Sequence, residues 1–293
     1  MDVQKVILLA LQASILATVF GFGLKATRND LLYLWRRPAL LVRSLLAMYL
    51  AMPLVSLVLV GSLDLPMSVK IMLVAISIAP LPPILPNKLA ASGESGDYAI
   101  ALMATLALLS IGITPLAVTL LGAFFGQHFA MSPAAVAKTV LISIVVPLLV
   151  GIGVRAIFPG AERLAGGVLR VGKVLLPIAA LALVVDLASK LSSLVGAATI
   201  LAIVVFSCAG LLVGHLLGGP DRHGRVTLAL SSASRHPTIA LAIAVATYPE
   251  ERVGATIVFY LLLSTIVCLP YMLWQKRAQA GEAAPASVRA AAR

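Results

Sequence analysis

The chain has 293 residues, of which 61% are hydrophobic and 11% charged. A soluble globular domain is nearer half apolar and a quarter charged, so an ordinary water-soluble fold is excluded and a polytopic, all-α membrane protein is indicated. The net charge of +11 comes without the aromatic–basic interleaving of a nucleic-acid binder, so nucleic acid is discounted as a partner.

About twenty apolar residues cross a bilayer as a helix. Nine segments of that kind occur in chain order, at roughly 4–25, 38–63, 67–90, 98–124, 134–156, 170–190, 192–217, 225–247 and 253–275. The first has too long an apolar run for a signal peptide, and GFGLKAT offers no clean cleavage site, so it reads as an anchor. The Ala-rich tail 276–293 reads as cytoplasmic and disordered. Residues 1–275 read as a single membrane domain. Sixteen of the 22 lysines and arginines, Lys88 among them, fall on the side of the first loop, and five on the other. That bias predicts an outside N-terminus and a cytoplasmic C-terminus in the plasma (inner) membrane. Cys208 and Cys268 lie far apart in apolar segments, without metal-ligand spacing, and read as small buried residues.

The third and eighth segments differ from the rest. The third holds Pro80, Pro82, Pro83 and Pro86 within seven residues. A continuous helix does not survive this, because each proline lacks an amide donor and clashes with the preceding turn. The eighth carries Ser231, Ser232, Ser234, Arg235, His236, Pro237 and Thr238 at its centre. Broken backbone at membrane depth is tolerated only where protein buries it or a wet cavity adjoins it. Interrupted segments in corresponding places of two halves mark a transporter's binding site. The two breaks, about 150 residues apart, predict an inverted repeat with halves at about 1–128 and 129–275. Single prolines (Pro53, Pro115, Pro147, Pro177, Pro270) read as kinks, and serine and threonine can join helices without touching substrate.

Arg235 carries the sharper signal. Arginine at the bilayer centre costs about 2.5–3.5 kcal/mol on insertion scales, and it cannot shed its charge. It must face a cavity, a carbonyl cluster or an acid. Asp186 is the single Asp or Glu inside a span, so a structural Arg235–Asp186 pair competes with a substrate anion. Helix N-termini at the breaks favour the anion. His236 reads as a hydrogen-bonded structural residue or as the carrier of a coupling proton.

These residues resemble a known family. FGFGLKATRNDLLYLWRRPALLVRSLLAMYLAMPL is similar to the second and third helices of the bile acid:sodium symporter family. APLPPILPN with GDYAIALMATLALLSIGITP resembles its first crossing helix and the helix after it. SSASRHPTIALAIAVATY resembles the second crossing helix. The similarity covers nearly the whole chain, which starts one helix late, as nine-helix members do. The resemblance implies a core of segments 2, 3, 4, 7, 8 and 9, with 3 and 8 crossing, and a panel of segments 1, 5 and 6. It implies alternating-access transport of an organic anion such as a bile acid, a keto acid or a pantothenate-like acid, and no enzymatic activity.

The chain departs from the family at its sodium site. Sodium-coupled members carry a glutamate and, four residues on, a glutamine in the second crossing helix. Ser231 and Arg235 stand there. The first crossing helix normally offers serine and asparagine, and the equivalents are Leu85 with Pro86 or Asn87. In the next helix Met103 and Ala107 replace hydroxyl residues, with Thr105 the nearest hydroxyl. A hard cation wants several oxygens, usually one of them anionic. A guanidinium a few ångström from sodium would repel it by several kcal/mol at an effective dielectric near 20. The resemblance therefore implies a carrier with weak or no sodium coupling. The substrate-binding candidates are Arg235, His236, Ser231, Ser234, Thr238, Asn87 and Thr105; the lining candidates are Gln12, Ser14 and Thr18. No metal site is expected, and no cofactor other than an uncertain sodium.

Rival classes stay open: a sodium symporter with a non-standard ion site, an auxin-efflux-type carrier and a passive channel. An arsenite carrier would want a cysteine in IAPLPPILPN, which has none. An intramembrane enzyme would want HExxH, paired membrane aspartates or a Ser–His dyad. The first two are absent, and Ser234 and His236 are too close in sequence for a convincing dyad.

Overall fold

Apolar runs in a membrane fold as helices, because only there is every backbone group satisfied within its own segment. A computed structural model describes residues 3–27, 29, 32–82, 85–92, 97–125, 138, 141–194, 196–248 and 253–283, and among them there is no strand. The helices are α1 (Val3–Lys25), α2 (Pro38–Ser62), α3 (Met67–Ile78), α4 (Leu85–Ala91), α5 (Asp97–Phe125), α6 (Leu141–Ile157), α7 (Glu162–Leu194), α8 (Ala197–Leu217), α9 (Arg222–Ala233), α10 (Pro237–Thr247) and α11 (Val253–Ala283). Three are long and apolar enough by themselves to cross a membrane: α2, α8 and α11 over Val253–Ala280. The chain is an all-helical membrane protein.

Both expected breaks are present. The third segment divides into α3 and α4, and the eighth into α9 and α10. The first half of each is twelve residues long. Twelve residues rise about 18 Å, more than half of a hydrocarbon core about 30 Å thick. The first half of each broken helix packs against the second half of the other, α3 on α10 and α4 on α9. The two breaks therefore meet at one point. Pro86 lies outside the break, in the first turn of α4, where a missing N–H costs nothing. Pro237 likewise opens α10.

Close backbone contact fixes the second crossing. Gly210, Gly214 and Gly218 recur every fourth residue, at the interface with α9. A Cβ on Gly214 would lie 2.3 Å from the carbonyl oxygen of Leu228, and one on Gly210 would lie 2.8 Å from the Ala233 backbone. Small residues at this spacing let helix backbones approach where no hydrophobic force drives them together. A second set of close contacts joins α1 to α6 and α7. A Cβ on Gly23 would meet the Leu148 carbonyl at 2.4 Å, and one on Gly172 would meet the Thr18 hydroxyl at 2.2 Å. Ser14 Oγ donates to the Gly172 carbonyl at 2.8 Å, and Thr18 Oγ1 to the Ser14 carbonyl at 2.7 Å. Arg155 of α6 donates to the Lys25 and Ala26 carbonyls at 2.7 and 3.0 Å, satisfying the end of α1.

Several boundaries differ from the sequence reading. α7 starts at Glu162, eight residues before the expected sixth span. α11 continues to Ala283, so residues 276–283 are helical where a disordered tail was expected. Their letters, KRAQAGEA, are mostly strong helix formers attached to an existing helix, so propagation needs no new nucleus.

Gly214→Ala should be destabilising by about 1–3 kcal/mol, because the added methyl meets backbone that cannot yield. Gly61→Ala, whose Cβ would find open space, serves as the control. Thermal unfolding of the two variants in detergent measures the difference.

Candidate functional site

Breaking a helix frees carbonyls, and the local chemistry follows from where they go. Pro80, Pro82 and Pro83 have no N–H, so the donors four residues on that a continuous helix would offer the carbonyls of Ile76, Ile78 and Ala79 are missing, and the Ala79 N–H is shared between the Ala75 and Ile76 carbonyls. The partner break supplies replacements. The His236 N–H donates to the Pro80 carbonyl at 2.8 Å, and Arg235 Nη1 reaches the Ala79 carbonyl at 3.4 Å. One peptide group and one guanidinium thus join the two crossings.

Arg235 makes a further bond, Nη2 to the Met48 carbonyl at 3.1 Å. The reason that carbonyl is free lies in α2. Residues Leu46–Ala51 form a π turn, in which the Met52 N–H bonds five residues back to Ala47. The next bond at that spacing would run from residue 53 to the Met48 carbonyl, but residue 53 is proline. Pro53, expected as a plain kink, instead exposes the oxygen that receives Arg235. The same arrangement recurs in α6, where a π turn over Leu141–Val145 precedes Pro147.

Arg235 is 1% exposed. Of the environments open to a membrane arginine, the structure provides a carbonyl cluster. Tyr49 and Tyr260 lie within electrostatic range of the guanidinium, and Tyr260 Oη donates to the Ala233 carbonyl at the end of α9, 2.9 Å away. Among the described residues Nε has no hydrogen-bond partner. The side chain of Asp186 lies outside the described residues.

His236 caps α10. Its Nδ1 accepts the Ile239 N–H at 3.4 Å, which leaves the ring proton on Nε2. Nε2 is buried without a partner among the described residues. Ser231 Oγ donates within its own helix to the Thr227 carbonyl at 2.6 Å. Ser234, in the extended break, accepts from Lys88 Nζ at 2.8 Å. Lys88, counted above on the side of the first loop, therefore sits on α4 against the second break. The sequence signal was its position, two residues beyond the last proline of the first break. Thr105, Leu85 and Met103 are buried. The side chains of Asn87, Thr238 and Pro86, and residue 83 altogether, lie outside the described residues. Gln12 is exposed, and Ser14 and Thr18 are engaged in the α1–α7 contact.

Two prolyl breaks crossing inside a helical bundle, joined through a buried arginine, define a membrane transporter core. The sequence profile described as the Sodium Bile acid symporter family matches residues 13–215, taking in the first break and stopping before the second. The chain belongs to that family. A comparison with characterised proteins gave no match.

The cap role of His236 makes a specific forecast. His236→Ala should cost about 1 kcal/mol of stability, and His236→Ser or His236→Asn should restore most of it. If transport keeps its pH profile in the serine variant, the imidazole carries no coupling proton. A flattened profile in that variant would show the opposite.

Proposed function

We propose that the protein is an alternating-access carrier for a small organic anion in which Arg235 replaces the sodium ion of its relatives. The observation that carries this reading is the pair of backbone oxygens, Ala79 O and Met48 O, gathered around the guanidinium. Carbonyl oxygens are what a hard cation seeks, and here a fixed cation takes them. The residues present do not suit sodium: no Asp or Glu occurs in 67–92, 98–124 or 222–247, and a guanidinium at the crossing would repel the ion.

In this reading nine membrane spans form two inverted repeats. The core comprises α2 to α5 and α8 to α11, and α1, α6 and α7 form the panel. The core moves against the panel, with the N-terminus outside and the C-terminus in the cytoplasm of an inner-membrane carrier. Arg235, Ser231, Ser234, Thr105, Asn87, Thr238 and His236 supply the polar surroundings of the anion. The positive crossing makes an anion welcome there without a co-bound ion. Saturable uptake with counterflow would separate this carrier from a passive channel.

Thermal stabilisation of the purified protein against pyruvate, pantothenate and taurocholate, with and without sodium, is the direct test. A ligand at a hundred times its dissociation constant adds about 2.7 kcal/mol. Stabilisation by an acid should be independent of sodium. Uptake into proteoliposomes that scales with a sodium gradient and survives Arg235→Gln would overturn the proposal.

A further inference from the structure

Two cations face the second break, and the structure treats them differently. Arg235 is enclosed and bonded to backbone oxygens of α2 and the first break. Lys88 is half-buried, and the hydrogen bond its ammonium makes among the described residues goes to a neutral hydroxyl, Ser234 Oγ. An ammonium has three donors, and here one of them is directed to Ser234.

The backbone separates the two charges. Ser234 is extended, with φ −123° and ψ 131°, and His236 is extended too, with φ −76° and ψ 108°. Within this extended stretch the two cations have different partners: Lys88 bonds Ser234, and Arg235 bonds the carbonyls of Ala79 and Met48. Arg235 is held where it fixes the crossing. Lys88 has donors to spare, partial access, and no carboxylate partner among the described residues.

We propose that Lys88, positioned by Ser234, is the residue that receives the acid group of the substrate, while Arg235 is the fixed cation of the crossing. This inference rests on the anion-carrier reading above and deepens it. The ligand class it implies is a carboxylate or sulfonate, whose oxygens accept from the free ammonium donors in a charge-assisted bond.

The test uses the same three acids, pyruvate, pantothenate and taurocholate, titrated against the full-length protein. Lys88→Met should weaken binding of whichever acid stabilises the wild type by at least tenfold. Lys88→Arg, which keeps the charge, should stay within about threefold, and Lys88→Gln should weaken binding as Lys88→Met does. The melting temperature of each variant without ligand reports its folding, and Lys88→Gln stands in if Lys88→Met does not fold. The methyl ester of the active acid should fail to stabilise the wild type. An unchanged dissociation constant in the folded Lys88→Met or Lys88→Gln variant overturns this inference and leaves the carrier reading intact. Absence of stabilisation by all three acids in the wild type, with or without sodium, overturns both.

Discussion

Unpaired backbone carbonyls cannot be left in an apolar medium, and the architecture of this protein follows from that constraint. Prolines strip donors from the middle of one helix, and the partner helix is interrupted at the same depth. The peptide N–H of His236 closes on the Pro80 carbonyl, so that each break completes the other. Neither interruption would be stable alone. Together they place extended backbone, two cations and several hydroxyls at the centre of the bundle, where a straight helix would present only side chains.

Arg235 extends the same logic to a third helix. The π turn of α2 and Pro53 leave the Met48 oxygen without an internal partner, and the guanidinium takes it. A charge that would be costly in hydrocarbon is thereby set among dipoles that need a donor. Replacing one partner of such a contact is expensive on both sides, because the other is left buried and unpaired. The arginine is thus as much a fastener of α2, α3 and α10 as a source of field.

Much of this was legible in the letters. Proline clustering in 80–86 and the Ser-rich, charged centre of 231–238 are local features, and local features survive reading in one dimension. The role of Pro53 was not legible, because a proline that kinks and a proline that frees the Met48 oxygen for an arginine 187 positions beyond Met48 look identical in sequence. The partner of Lys88 was hidden for a related reason. Hydropathy puts this lysine near one end of the 67–90 segment, and only the crossing brings it against Ser234. The fourfold spacing of Gly210, Gly214 and Gly218 was plain in sequence, yet its meaning depends on which helix lies opposite. Helix ends followed propensity more than hydropathy, as the continuation of α11 through 276–283 illustrates.

The glycine seam has a mechanical consequence. With backbone touching backbone along α8 and α9, the two helices cannot slide or roll on one another without collision. The outer side of α8 carries Leu201, Val205, Leu212 and Leu216, all exposed and in a membrane turned toward acyl chains. Any shift of the second crossing must therefore carry a whole lipid-facing wall with it. If the core moves as proposed above, the rate of that shift would be coupled to the viscosity of the surrounding bilayer, the core would work against its solvent as a paddle does, and membrane fluidity would enter its kinetics directly.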